Sequence, residues 1–141
     1  MVSKNMHREF AFRIDYPDTK SGRSAWNSKY GLNAYYSGKN YYKRSKDADY
    51  WHALTCAAIR KTERFPKMFD SPVIVEGYFN DNLDCDNHAA MLKMIIDGMK
   101  GLLIADDRRK FVQGAAMYFH DEPYILIRVR AVCKTHAVMI N

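Results

Sequence analysis

Six aspartates crowd one stretch of this chain: Asp81, Asp84, Asp86, Asp97, Asp106 and Asp107, with only Lys93 and Lys100 among them. Carboxylates set this close repel one another, and a bound cation relieves the repulsion. Asp84 and Asp86 stand at i, i+2, so on extended backbone their side chains point the same way and can share an ion. If Asp86 opens a helix, steps of about 100° bring Lys93 and Asp97 within about 20° of its direction, with Ala90 on the same stripe. Asp86, Lys93, Asp97 and Lys100 then make a polar stripe opposite an apolar face. A calcium loop does not fit: counted from Asn82, Lys93 falls where the bidentate Glu belongs, and counted from Asp84, Ala89 falls at the required Gly. Zinc does not fit either, because His7, His52, His88, His120 and His136 are scattered, without H-x-E or paired cysteines. Ligands that are all oxygen point to Mg2+ or Mn2+.

The elements that must position these groups are legible in outline. Phe10, Phe12 and Ile14 share one parity, giving a first strand over Glu9–Asp15 that Tyr16-Pro17 ends. Residues 18–45 are rich in Ser, Gly, Asn, Lys and Tyr without a steady period, the composition of a long binding loop. Ser45 suits an N-cap for a helix that carries Trp51, Leu54, Ala58 and Ile59 on one stripe and stops at Phe65-Pro66. Val73–Phe79 is β-rich. A polar turn over 80–86 leads into a second helix from about Asn87 to Lys100, with His88, Met91, Leu92, Ile95, Met99 and Leu102 at helical spacing and Gly101 as its stop. Phe111–Phe119 and Tyr124–Cys133 read as two closing strands joined by a hairpin turn at 120–123. The order β-loop-α-β-α-β-β predicts an α/β (α+β) fold: a single mixed sheet of about four strands with two main helices.

At 141 residues the chain fits one domain spanning 1–141, and 48% apolar content is too high for disorder. The longest apolar runs are far short of a membrane span, and the basic start has no apolar stretch after it. Cys56, Cys85 and Cys133 are odd in number and form no C-x-x-C, which points to a reducing cytoplasm. Charge is unevenly placed: residues 1–70 carry 14 basic and 7 acidic side chains, and residues 71–141 carry 8 and 9. From Lys20 to Lys46 there are seven cations and no acid. A basic half beside an acidic cluster suits a metal-dependent enzyme acting on a polyanion. Within the basic stretch, Lys29, Lys39, Lys43 and Arg44 can bind phosphates, and Tyr35 and Tyr36 can stack on unpaired bases.

Asp84-Cys85-Asp86-Asn87, a helix with Lys93 and Asp97-Gly98-Met99, then Ile104-Ala105-Asp106-Asp107 with Lys110-Phe111-Val112, resembles the RusA-type Holliday-junction resolvases, small endodeoxyribonucleases of bacteria and their prophages. The family pattern is D-x-D-N, a helix with a Lys, D-[GA]-L/M, and D-D. The Asn/Lys/Arg-rich segment Gly31–Lys39, followed by Lys43-Arg44, also matches, and the likeness spans about residues 9–133. One departure is the lysine: the family's usual position is Ala90 here, and Lys93 stands one helical turn later. The resemblance implies Asp84, Asp86 and Asp107 as metal-binding carboxylates, Asp106 as a neighbour sharing the site, and Lys93 stabilising charge on the scissile phosphate. It further implies Mg2+ as cofactor, in-line hydrolysis of a DNA phosphodiester leaving 5′-phosphate and 3′-hydroxyl, a four-way junction as substrate, and a homodimer with one site per strand, working in the bacterial cytoplasm as a host or phage protein. The dimer surface expected from leftover apolar area is Met91, Ile95, Met99, Ile125 and Ile127.

Each residue has a plainer reading beside this one. Asp106 suits a turn cap, Lys93 an exposed ion pair with Asp97 at i, i+4, and Asp97 a structural role. Asn87 suits capping or orienting the turn. His52, His88 and the methionines at 91, 94 and 99 read as core or interface filler, and Cys85 as a space-filler. Two other functions remain open: a DNA-binding recombination-accessory protein with a degenerate acidic site, and a metal-dependent nuclease of other branched or flap nucleic acid.

Overall fold

The computed structural model describes residues 8–33 and 40–132. In chain order the elements are β1 (Glu9–Asp15), α1 (Lys20–Tyr30), α2 (Tyr41–Thr62), β2 (Val73–Phe79), a 3-10 turn (Cys85–His88), α3 (Ala89–Met99), β3 (Val112–Phe119) and β4 (Tyr124–Ala131). The four strands form one mixed sheet in the order β1-β4-β2-β3, and with the helices this is an α+β fold. β4 runs antiparallel to β1, from Glu9 opposite Arg130 to Asp15 opposite Tyr124, and antiparallel to β2 on its other side. β2 and β3 are parallel, with a register shift after Val73.

That order corrects one expectation. β3 and β4 are not a hairpin, because β2 lies between them. Residues 120–123 instead carry the chain past the end of β2, and the His120 N–H donates to the Phe79 carbonyl at 3.0 Å. β2-α3-β3 is thus a parallel crossover unit, which needs a helix-length connection that α3 supplies.

Alternation along the strands decides which face is covered. Val73, Val75 and Phe79 of β2 are buried, as are Phe12 and Ile14 of β1 and Ile125, Ile127 and Val129 of β4. Their face packs under the helices through Trp51 and Ile59 of α2 and Met91, Ile95 and Met99 of α3. Met91, Ile95, Met99, Ile125 and Ile127 are therefore consumed by the chain's own core and cannot form the dimer surface expected from sequence. The helices approach closely at Gly98, where an added Cβ would sit 2.8 Å from Thr55 Cβ. Gly101, at φ +84°, ends the turn after α3, where its N–H donates to the Ile104 carbonyl at 2.7 Å.

The segment read as a structureless loop over 18–45 contains α1, and α2 starts at Asn40 as N-cap rather than Ser45. α1 is poor in helix formers, so packing rather than propensity makes it. Thr19 Oγ1 caps it by accepting from Gly22 N–H at 3.0 Å. Trp26 and Tyr30, one turn apart, then lock it down. The Trp26 ring stacks on Trp51 at 4.9 Å and meets Tyr16 edge-on at 5.6 Å, while Tyr30 stacks on Tyr50 at 5.9 Å.

Candidate functional site

The acidic residues fall at the two ends of α3, and Asp97 and Asp107 line a cleft between that helix and the edge strand β3. The cleft holds about 330 Å³ and is lined by Ala89, Lys93, Asp97, Asp107, Val112 and Met117, among others. Ala89, Lys93 and Asp97 recur at i, i+4, i+8, the face of α3 turned away from the buried Ala90, Met91, Met94 and Ile95. Ala90, expected on the polar stripe, is buried.

At one end is the turn carrying Asp84 and Asp86. Asp84 is extended (φ −64°, ψ 154°), but Asp86 sits within the 3-10 turn, so the two are not on a strand and do not share a side by alternation. Both are exposed, and neither carboxylate has a hydrogen-bond or ion-pair partner among the described residues. The turn itself is firmly held. Asp84 C=O accepts from Asn87 N–H at 3.0 Å. Cys85 Sγ donates to the Met117 carbonyl at 3.2 Å, which seats the turn on β3. Asn87 Oδ1 accepts from Asn33 N–H at 3.0 Å and so ties the turn to the chain leaving α1, the orienting role read from sequence.

The strongest anchor is one the sequence reading passed over as filler. His88 is 0% exposed and stacks on Phe79 at 4.1 Å. Its Nδ1 lies 2.9 Å from the Cys85 carbonyl, and its Nε2 lies 2.7 and 2.8 Å from the two oxygens of Asp81. Each ring nitrogen thus has an oxygen partner, which fixes the ring's orientation and ties the 3-10 turn to Asp81. Asp81 also accepts from Leu83 N–H at 3.0 Å and Tyr16 O–H at 3.2 Å, and Tyr16 in turn accepts from Asn80 N–H. Burial, and secondarily the Asp81 charge, push the Tyr16 hydroxyl well above its ordinary range and keep it a neutral donor. The available signal was a histidine on an apolar stripe, because a buried ring must find partners for two nitrogens.

The other end is organised by Lys100. Its ammonium lies 3.1 Å from Asp107 Oδ2, 3.5 Å from Asp97 Oδ1 and 4.0 Å from Asp106 Oδ1. Lys93 pairs with Asp97 at 3.4 Å, the i, i+4 contact weighed from sequence. Asp106 accepts from Asp107 N–H at 2.8 Å and pairs with Arg108 at 2.7 Å, which makes it the turn cap of the plainer reading. The hydrogen bond from Lys100 lowers the Asp107 carboxyl below its usual range and raises the lysine.

Ala89 and Asp97, eight positions apart on α3, are separated by about 12 Å along the axis, and Asp86 lies in the turn before it, so Asp86 and Asp97 are too far apart for one ion. Among the described residues no group of three or more His, Cys, Asp or Glu is close enough to hold a metal, so Asp84, Asp86 and Asp107 are not gathered into one ligand set. The donor chemistry still fits Mg2+ at one end. That cation keeps most of its water and is commonly held by one or two carboxylates. Asp84 and Asp86 are all-oxygen, exposed and uncommitted. Asp107, at the other end, is committed to Lys100.

Of the expected nucleic-acid contacts, Lys39, Tyr35 and Tyr36 lie outside the described residues. Lys29 pairs with the buried Asp47 at 3.8 Å, and Arg44 is half-buried. Lys43 is exposed on the first turn of α2, where its N–H is capped by Asn40 Oδ1 at 2.9 Å. Beside it stand two aromatics not singled out from sequence, Tyr41 at 81% and Tyr42 at 65% exposure, with the Lys46 ammonium 4.8 Å from the Tyr42 ring. No helix among the described residues is long and apolar enough to cross a membrane. No protein-family model matches the chain, and no curated protein matches it.

Proposed function

We propose that the chain is a Mg2+-dependent endodeoxyribonuclease that cuts branched DNA, with the four-way junction as its substrate. The observation that carries this reading is the pair of carboxylates, Asp84 and Asp86, unpartnered among the described residues, on a turn braced by His88, Asn87 and Cys85 at the start of α3, whose Lys93 lines the cleft. Exposed charge on rigid backbone is what a cation site requires, since no protein group neutralises it. Mg2+ held there would supply Lewis acidity toward a phosphodiester. Lys93, on the cleft wall, meets the phosphate, and Asp97 orients its ammonium. Tyr41, Tyr42, Lys43 and Lys46 on α2 supply phosphate and stacking contacts beyond the cleft. A homodimer would give each of two equivalent strands a site. With the core residues consumed, the exposed large aromatic side chains left on the edge strand β3 for that contact are Tyr118 and Phe119.

The dispersed carboxylates favour a second reading: a DNA-binding recombination-accessory protein with a degenerate site. Asp84→Asn separates the two. On the nuclease reading it abolishes Mg2+-dependent cleavage and leaves junction binding equal or tighter, since a charge repelling phosphate is gone. Equal cleavage by variant and parent would remove Asp84 from the chemistry, and absence of cleavage by both would favour the accessory protein.

A further inference from the structure

A second cavity, of about 530 Å³, lies between α1 and the 80–83 turn, on the far side of Leu83 from the acidic turn. Its size is within the range of about 300–1,000 Å³ common for small-ligand sites. Lys20, Arg23, Ser24 and Asn27 line it from α1, and Asn80 and Asn82 from the turn. The α1 residues recur at i, i+3, i+4, i+7, so one helical face is devoted to it, beside the Trp26 and Tyr30 anchors.

Three features make this a binding surface. The first is uncommitted polarity: the side chains of Lys20, Ser24 and Asn82 have no hydrogen-bond or ion-pair partner among the described residues. Arg23 spends Nη1 on the carbonyls of Pro17 and Asp18, at 3.3 and 3.1 Å, and keeps its other nitrogens. The second is cost, because Asn27 Oδ1 is buried without a partner, and a turn of that side chain into the cavity would let a ligand satisfy it. Such a group typically costs about 1–3 kcal/mol until something satisfies it. The third is charge. The only carboxylate on the wall is Asp81, whose oxygens are taken by His88, Tyr16 and Leu83, which leaves two cations at the rim.

We infer that this cavity takes one unpaired nucleotide of the bound DNA strand, with its phosphate on Lys20 and Arg23 and its base edge against the amides of Asn27, Asn80 and Asn82. Amide side chains offer both donor and acceptor, as a base edge does, and extrusion into a pocket is least costly where pairing is already broken. Because Leu83 joins the pocket to Asp84, a nucleotide seated there would fix which phosphodiester reaches the acidic turn. The inference rests on the nuclease reading for its substrate but is tested without catalysis.

In metal-free buffer with chelator, the 15N-labelled chain is titrated with a short single-stranded oligodeoxynucleotide, with each deoxynucleoside monophosphate, and with inorganic phosphate. The expected result is saturable shifts at the Ser24, Asn27 and Asn82 amides, tightest with the oligonucleotide. The exposed pair Lys20→Gln/Asn82→Ala should weaken that Kd at least tenfold with an unchanged fold. Shifts confined to α2, an unchanged Kd in the double variant, or phosphate alone matching the oligonucleotide would overturn the inference. Free mononucleotides binding as tightly as the strand would reassign the pocket to a free nucleotide and overturn it equally. Pocket binding without Mg2+-dependent cleavage would sink the nuclease and spare the pocket, and cleavage without pocket binding would do the reverse.

Discussion

Replacing Lys100 by Met removes the one ammonium that Asp97, Asp106 and Asp107 share. Lys100 is 37% exposed on its side chain, so its contacts are partly screened by water and salt. Exposed ion pairs are worth about 0.2–1 kcal/mol each, and three carboxylates sharing one cation give a net loss of about 1–2 kcal/mol. For a chain of this size that lowers Tm by about 3–6 °C. Part of the loss is recovered at high salt, which screens the carboxylates left facing one another. The pH profile carries the sharper signature. Because Lys100 depresses the Asp107 carboxyl below 3.8, that interaction stabilises the fold above pH 3.8 and is lost as pH falls through the lower folded value. Thermal melts of parent and Lys100→Met between pH 2 and 8 should differ most at neutral pH and converge in acid. Mg2+ should then raise the variant's Tm more than the parent's, since Asp97 and Asp107 lose their shared ammonium and can take a cation in its place. A variant as stable as the parent at pH 7, with the same acid limb, would refute Lys100 as the organising charge.

Three further substitutions test the frame. His88→Ala removes a buried hydrogen-bond partner of Asp81 and should cost about 1–3 kcal/mol by denaturant unfolding, where no measurable loss would deny the anchor. Burial, then the Asp47 charge, push the Tyr30 hydroxyl up to about 12. Its stabilisation is thus complete below pH 10 and lost as pH rises from 10 toward 12, and Tyr30→Phe should flatten that alkaline limb. Thr55 Oγ1 is buried without a partner. Thr55→Val keeps the shape that packs on Gly98 and should be neutral or stabilising by up to about 1 kcal/mol, and a marked loss would mean the hydroxyl is satisfied in solution.

What the sequence made legible divides along physical lines. The strands, α2 and α3 were readable because Phe10/Phe12/Ile14, the alternating β2 and the Met91/Ile95/Met99 stripe carry period and burial together. α1 was not, because its Ser, Gly and Asn content argues against a helix and only long-range contact of Trp26 with Trp51 makes it one. The β3–β4 connection misled because a four-residue polar turn fits a hairpin equally well, and strand order is set by where α3 returns the chain. In the site, the Lys93–Asp97 pair was foreseeable from its i, i+4 spacing, whereas the shared side expected of Asp84 and Asp86 was not met. Lys100's reach to Asp107 and the Asp81–His88 bond were not foreseeable, since both join side chains across a turn whose path spacing does not define. The 3-10 turn at Cys85–His88 is the main reason the anticipated Asp86 stripe shifted.

The most direct measurement is strand cleavage of a synthetic four-way junction beside a linear duplex of the same sequence, with and without millimolar Mg2+, with product ends identified. The account predicts Mg2+-dependent cuts in the junction, carrying 5′-phosphate and 3′-hydroxyl ends, little cutting of the duplex, and none by Asp84→Asn. Intact junction under saturating protein binding, or cleavage that persists in chelator, would contradict it.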